Sequence, residues 1–117
     1  MKWNTRRIAA AAIVLPAVLG VAACGKTAAQ KQQEEAATLT TLGEKYVREK
    51  VRDPASAQFR NQFIGKGGAP CGEVNAKDAF GTYIGFQRYI SVARELTLLA
   101  QDVAPAEFEE SWRELCR

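Results

Sequence analysis

Beyond residue 38 the apolar positions follow two rhythms. Leu39, Leu42, Tyr46, Val47 and Val51 recur at helical spacing, and Glu44, Lys45, Arg48, Glu49 and Arg52 fill the other face. This predicts an amphipathic helix over residues 38–52. Asp53-Pro54 ends it, because the residue before a proline is pushed out of the α region. Asp53 also suits the N-cap of a short turn with Pro54 at its first position. The period then shortens to two. In residues 58–64, Phe59, Asn61 and Phe63 share one face and Gln58, Arg60 and Gln62 the other, a strand signature. Gly65-Lys66-Gly67-Gly68 is a turn cluster. Residues 70–77 form a second, short strand, with Cys71, Glu73 and Asn75 on one face and Val74 on the other. After a turn at 78–81, residues 82–92 are rich in aromatic and β-branched side chains and read as the longest strand. Gly85 inside it marks a bulge or a close backbone approach. Residues 96–100 fit a fourth strand, after a turn at 93–95, or a helix continuous over 92–103; the strand is preferred. Pro105 opens the last helix, with Phe108, Trp112 and Leu115 as its apolar stripe and Glu107, Glu109 and Glu110 at its positive end. The order of helix, three or four antiparallel strands and helix predicts an α+β fold of two layers.

The amino-terminal segment has neither rhythm. Residues 1–7 carry Lys2, Arg6 and Arg7 and no acid, and residues 8–23 carry no charge. A basic start, a short apolar stretch and small residues before a boundary describe an export signal. The apolar stretch is shorter than the roughly 20 residues of a membrane span. It stops at Cys24, and Val21-Ala22-Ala23-Cys24 resembles the bacterial lipobox. That resemblance implies cleavage before Cys24 and a thioether-linked diacylglycerol on its sulfur, usually with a third acyl chain on the new amino terminus. Ordinary signal cleavage and an uncleaved anchor helix are the rival readings. Two or three acyl chains anchor a protein stably, where one holds it only marginally. Gly25, rather than an aspartate, comes after the cysteine, which implies forwarding to the outer membrane. Residues 25–38 hold no large apolar side chain and read as a polar tether, or as an extension of the helix predicted over 38–52, since Ala, Gln, Glu and Lys are good helix formers. The predicted organisation is a signal segment 1–23, a lipidated cysteine with its tether 24–38, and a folded domain 39–117.

Charge sharpens this picture. The 117 residues hold 16 Lys and Arg against 13 Asp and Glu, a formal +3. Lys2, Arg6 and Arg7 account for that excess, so past the signal 13 basic residues face 13 acidic ones. The basic balance belongs to export and not to nucleic-acid binding. The chain has no histidine and three cysteines, which excludes histidine-based triads and Cys/His zinc sites. No HExxH, GxSxG or phosphate-loop motif is present, and no cofactor is predicted. Gly65–Gly68 mimics a phosphate loop only weakly and reads better as a hairpin turn. Tyr83, Phe86 and Tyr89 read better as core than as a base-stacking platform.

With Cys24 taken by lipid, Cys71 and Cys116 remain. In an oxidising compartment such a pair normally closes. The loop is long enough for a stabilisation of about 4 kcal/mol in the chain-entropy picture. Redox-active or metal-binding thiols are the rival reading, against which stand the absence of a CxxC and of histidine.

Three strings carry a family resemblance: Asp53-Pro54-Ala55-Ser56-Ala57-Gln58-Phe59-Arg60-Asn61, Cys71-Gly72-Glu73-Val74-Asn75-Ala76-Lys77, and Phe80-Gly81-Thr82-Tyr83-Ile84-Gly85-Phe86. With a closing Phe108, Trp112 and Cys116 they resemble a group of small uncharacterised exported proteins of Gram-negative bacteria. Asp78 and Thr82 stand where that pattern often has asparagine and glycine. If that asparagine makes a left-handed turn, Asp78 can replace it less readily. The resemblance implies a common domain and the terminal disulfide, and no known activity.

Arg60, Glu73, Asn75 and Lys77 are the candidate binding residues, with Asn61 and Asp78 close by. One reading makes them a face that recognises a ligand, a glycan or a protein. The plainer reading is cross-strand pairing of Arg60 with Glu73, worth about 0–1 kcal/mol when exposed, and turn shaping by Asn75, Asp78 and Gly81. The functional expectation is a non-enzymatic envelope lipoprotein, held to a membrane by its lipid and acting by binding or scaffolding, with an envelope protein as partner and no nucleic acid. The alternative is a tethered inhibitor of a wall hydrolase or a soluble-ligand module. An inhibitor needs a projecting loop, for which residues 65–69 are the candidate.

Overall fold

The computed structural model describes residues 12–16 and 25–117. Most of the predicted signal segment, the lipobox and Cys24 lie outside the described residues. Helix α1 (Ala28–Lys50) starts earlier than its apolar stripe. Thr27 caps it: its hydroxyl accepts the Gln30 N–H while the Gln30 side chain accepts the Thr27 N–H, a reciprocal capping box. The polar stretch after Gly25 is therefore a helical extension. Residues 28–35 are exposed throughout, and burial begins at Ala36. The helix ends at Lys50, before the predicted boundary, where Val51 turns extended.

A short 3-10 turn at Pro54–Ser56 leads into the sheet. Its strands are β1 (Gln58–Ile64), β2 (Pro70–Asn75), β3 (Gln87–Ala93) and β4 (Leu96–Leu99), followed by helix α2 (Pro105–Leu115). All pairings are antiparallel and the spatial order is β1-β2-β3-β4. The α+β class and the helix–sheet–helix order are as predicted, and residues 96–99 form the preferred strand. Thr97 is held there by hydroxyl contacts to Ser91 at 2.9 Å and to the Ala93 carbonyl at 2.8 Å.

Three further details differ from the sequence reading. The first is the layering. Tyr89 and Ile90 are neighbours in β3, so they point to opposite faces, and both are fully buried. Tyr89 packs with Val47, Val74 and Leu99 under α1. Ile90 packs with Cys71, Phe108 and Trp112 under α2. The helices cover opposite faces, giving three layers and not two. The second is a bulge in β1. The register slips between Arg60 and Phe63, and Asn61 takes a φ of 51°. An extra residue flips the rest of the strand to the other face. Phe59 consequently meets Tyr89 edge-on at 5.8 Å on the α1 side, and Phe63 meets Trp112 edge-on at 5.8 Å on the α2 side. The third is the expected strand 82–92. Only Gln87 onwards is strand. Gly85 has a φ of 99°, which L side chains rarely adopt, and it detaches residues 82–86 as a loop.

The two remaining cysteines are bonded. Cys71 on β2 and Cys116 just past α2 form a disulfide with Cα atoms 6.1 Å apart, inside the α2-side core. No helix among the described residues is long and apolar enough to cross a membrane.

Candidate functional site

The candidate residues do not form one cluster. Arg60 and Glu73 face each other across β1 and β2, as predicted. Arg60 donates from Nε at 3.1 Å and Nη2 at 2.9 Å to one carboxylate oxygen of Glu73; the bulged Asn61 donates to the other at 2.9 Å. These bonds, first that of Asn61 and then that of Arg60, hold the Glu73 carboxyl below the ordinary glutamate range. Nearby, Arg88 pairs with Glu109 of α2 and lies over the Phe108 and Trp112 rings. Both partners of the Arg60–Glu73 pair are committed to each other, so this group reads as a fastening of the sheet.

That fastening has a pH signature. A carboxyl whose folded pKa is depressed contributes stability that is complete above its unfolded value and is lost as pH falls through the folded one. For Glu73 the ordinary value is 4.5. Wild type is expected to lose this group's contribution as pH falls below that ordinary value and through the lowered one. Glu73→Gln should be less stable at pH 6 and show a shallower acid limb in thermal melts. Parallel acid limbs for the two proteins would refute the assignment.

Asn75 and Lys77 belong to a second place, the loop between β2 and β3. Asp78 organises its turn: one carboxylate oxygen accepts the N–H groups of Phe80 at 2.9 Å and Thr82 at 3.1 Å. Asp78 therefore acts through its side chain, while Gly81 and Gly85 supply the positive φ angles. Asn75 accepts the Gly85 N–H at 3.0 Å. The Lys77 N–H donates to the Ser56 hydroxyl, and the Tyr83 hydroxyl donates to the Ser56 carbonyl at 3.0 Å. The Lys77 ammonium lies 5.4 Å from the centre of the Tyr83 ring, and the Arg60 guanidinium lies 3.7 Å from that of Phe86. The loop is thus tied at its base, its turn and its return.

This braced loop carries Phe80 at 91% exposure, with Ile84 and Tyr83 also exposed. Full burial of a phenylalanine is worth about 1.5–3 kcal/mol, and here that gain is forgone on a segment held in place by several hydrogen bonds. Beside it opens a cleft of about 610 Å³ between the loop, the end of α1 and the start of β3. Its floor includes Ala76 and Leu99, and Lys50, Arg52 and Lys77 line it together with Asp78 and Asp102. Among the described residues, neither Lys50 nor Arg52 has an ion-pair partner. No three His, Cys, Asp or Glu side chains among them could hold a metal ion together.

The expected inhibitor loop looks different. Gly65 and Gly67 pack beneath the end of α2, and the Gly67 N–H donates to the Leu115 carbonyl at 3.3 Å. The projecting loop is the one after β2. Its signal in the sequence is an aromatic residue, Phe80, set inside a turn between Asp78 and Gly81. Comparisons with family models, with curated proteins and with solved structures found no match to this chain.

Proposed function

We propose that this chain is a cell-envelope lipoprotein, anchored through Cys24 at the periplasmic face of the outer membrane, that acts as a non-catalytic binding or scaffolding module. The lipobox-like Val21-Ala22-Ala23-Cys24, Gly25 after it and the resemblance to small exported proteins support the anchor and the location. The observation that carries the binding role is the braced loop presenting Phe80 beside an open cleft. A rigid aromatic projection binds at low ordering cost, and such residues dominate interface energies. A tethered inhibitor of a wall hydrolase is the second reading, favoured by the same projection, with the loop as the plug.

The test has two arms. Cys24→Ala is expected to abolish labelling by radiolabelled palmitate; labelling that persists refutes the anchor. A photo-crosslinking residue in place of Phe80, in intact cells, is expected to give a discrete protein adduct that the same residue at exposed Glu110 does not give. Identical adduct patterns from both positions would sink the binding role. A hydrolase as the captured partner would favour the inhibitor reading.

A further inference from the structure

The cleft has a polarity that narrows its occupant. Lys50, Arg52 and Lys77 bring three cations to it. Of its two acids, Asp78 already accepts two backbone N–H groups. Lys50 also complements the negative end of α1, but no carboxylate among the described residues pairs with it or with Arg52. The apolar surface is equally definite: Leu99 in the floor, and Phe80 and Ile84 from the loop. Uncompensated cations beside exposed apolar side chains complement a ligand that alternates carboxylates with apolar groups.

Position separates the possible sources of such a ligand. The cleft lies at the carboxy-terminal end of α1, and a helix of 23 residues is about 34 Å long. Its other end begins four residues after Cys24. The exposed first turns carry no large apolar side chain that would lay the helix on a bilayer. A lipid-anchored chain therefore presents the cleft away from its own membrane. The cleft volume is that of a ligand pocket and admits a few side chains of an extended segment.

We infer that the cleft between the end of α1 and the loop after β2 receives an extended acidic segment of a partner protein, its carboxylates at Lys50 and Arg52 and an apolar side chain against Phe80 and Ile84. The inference rests on the binding-module reading above and adds the chemistry of the partner. The loop is braced by its own hydrogen bonds, so binding spends little on ordering it.

The probes are two pools of synthetic octapeptides, one built from Asp, Glu, Leu, Ala and Gly, the other with Asn and Gln replacing Asp and Glu. They are presented to the purified lipidated full chain in detergent. The acidic pool is expected to be retained about tenfold more strongly, with the preference shrinking as salt rises. Lys50→Gln with Arg52→Gln should bring the pools level, with the melting temperature lowered by a few degrees at most through the lost charge at the end of α1. Phe80→Ser should lower retention of the acidic pool with an unchanged melting temperature. Equal retention of the pools, or an acid preference that survives Lys50→Gln with Arg52→Gln, overturns the inference. So does a Phe80-dependent association with anionic phospholipid vesicles in place of peptide retention, which assigns the cleft to a membrane surface. The crosslinking arm keeps the two failures apart. A discrete adduct from position 80 without any pool preference removes the acidic class and leaves the binding module standing. Absence of that adduct removes the binding module itself.

Discussion

Replacing Cys71 and Cys116 together by alanine is expected to cost the domain about 4 kcal/mol of unfolding free energy. The bond closes a loop with a sequence separation of 45. In the chain-entropy picture, opening such a loop returns about that much freedom to the unfolded chain. Few domains of this size exceed the lower part of the usual 5–15 kcal/mol range, so most of the stability is at stake. The bond also sits where α2 most needs it. Cys71 and Cys116 are buried with Phe108 and Trp112 in one cluster, and these two side chains are the main apolar hold of the helix on the sheet. Urea titrations of oxidised wild type, reduced wild type and the double variant separate the contributions. Reduction keeps both sulfur atoms in place and should already produce most of the loss, with the alanines adding a smaller amount for the emptied volume. A midpoint shift worth less than about 1 kcal/mol on reduction would show that α2 holds without its staple.

Gly65→Ala is expected to be severely damaging for a single added methyl group, because Gly65 is buried against the end of α2. A Cβ at residue 65 would stand 2.6 Å from the Cys116 Cα and 2.9 Å from the Leu115 carbonyl carbon. Those are backbone atoms, and no rotamer change relieves the overlap. The last turn of α2 must move, yet Cys116 is tied to Cys71 on β2. Overpacking of this kind costs about 3 kcal/mol. The exposed neighbour change Lys66→Ala should stay within about 0.5 kcal/mol. The mechanism makes a further demand. Once the disulfide is reduced, the terminal turn can yield, so Gly65→Ala should cost less in reduced protein than in oxidised protein. That coupling is measurable in a double-perturbation cycle. Additive losses would mean that the collision is absorbed elsewhere.

How much of the fold can be read from the chain depends on which contacts are local. The stripe of Phe108, Trp112 and Leu115, the strand at residues 96–99 and the pairing of Cys71 with Cys116 depend on spacing, alternation and count. All three are present in the fold. The β1 bulge was not legible. Phe59 and Phe63 have the spacing of one face, and the slip between them is fixed by Asn61, whose side chain reaches Glu73 on the next strand. A contact 12 residues away leaves no trace in local periodicity. The third layer escaped for a related reason. β3 offers apolar or small side chains on both faces, and only the positions of two helices decide that both are covered. At the candidate site, Arg60 and Glu73 were legible as opposite charges on adjoining strands. Continuing the register from Phe63 opposite Cys71 would, however, set Asn61 against Glu73, and it is the bulge that brings Arg60 opposite it. The importance of Phe80 was not legible, because a turn residue is judged by its neighbours' φ and ψ. Its exposure depends on Asp78, Asn75 and Ser56 acting together.

The strand order β1-β2-β3-β4 also sets a time order for assembly. Every strand pairs with its neighbour in the chain, and such local pairings close early because little loop entropy stands in the way. Hairpins form in microseconds, whereas thiol oxidation takes seconds to hours. The sheet is therefore built long before Cys71 and Cys116 are joined. In that interval Ile90, Cys71 and Phe63 lie on a face that α2 covers without its covalent tie. The speed of oxidation, more than the speed of folding, governs how long α2 rests on that face without a covalent tie.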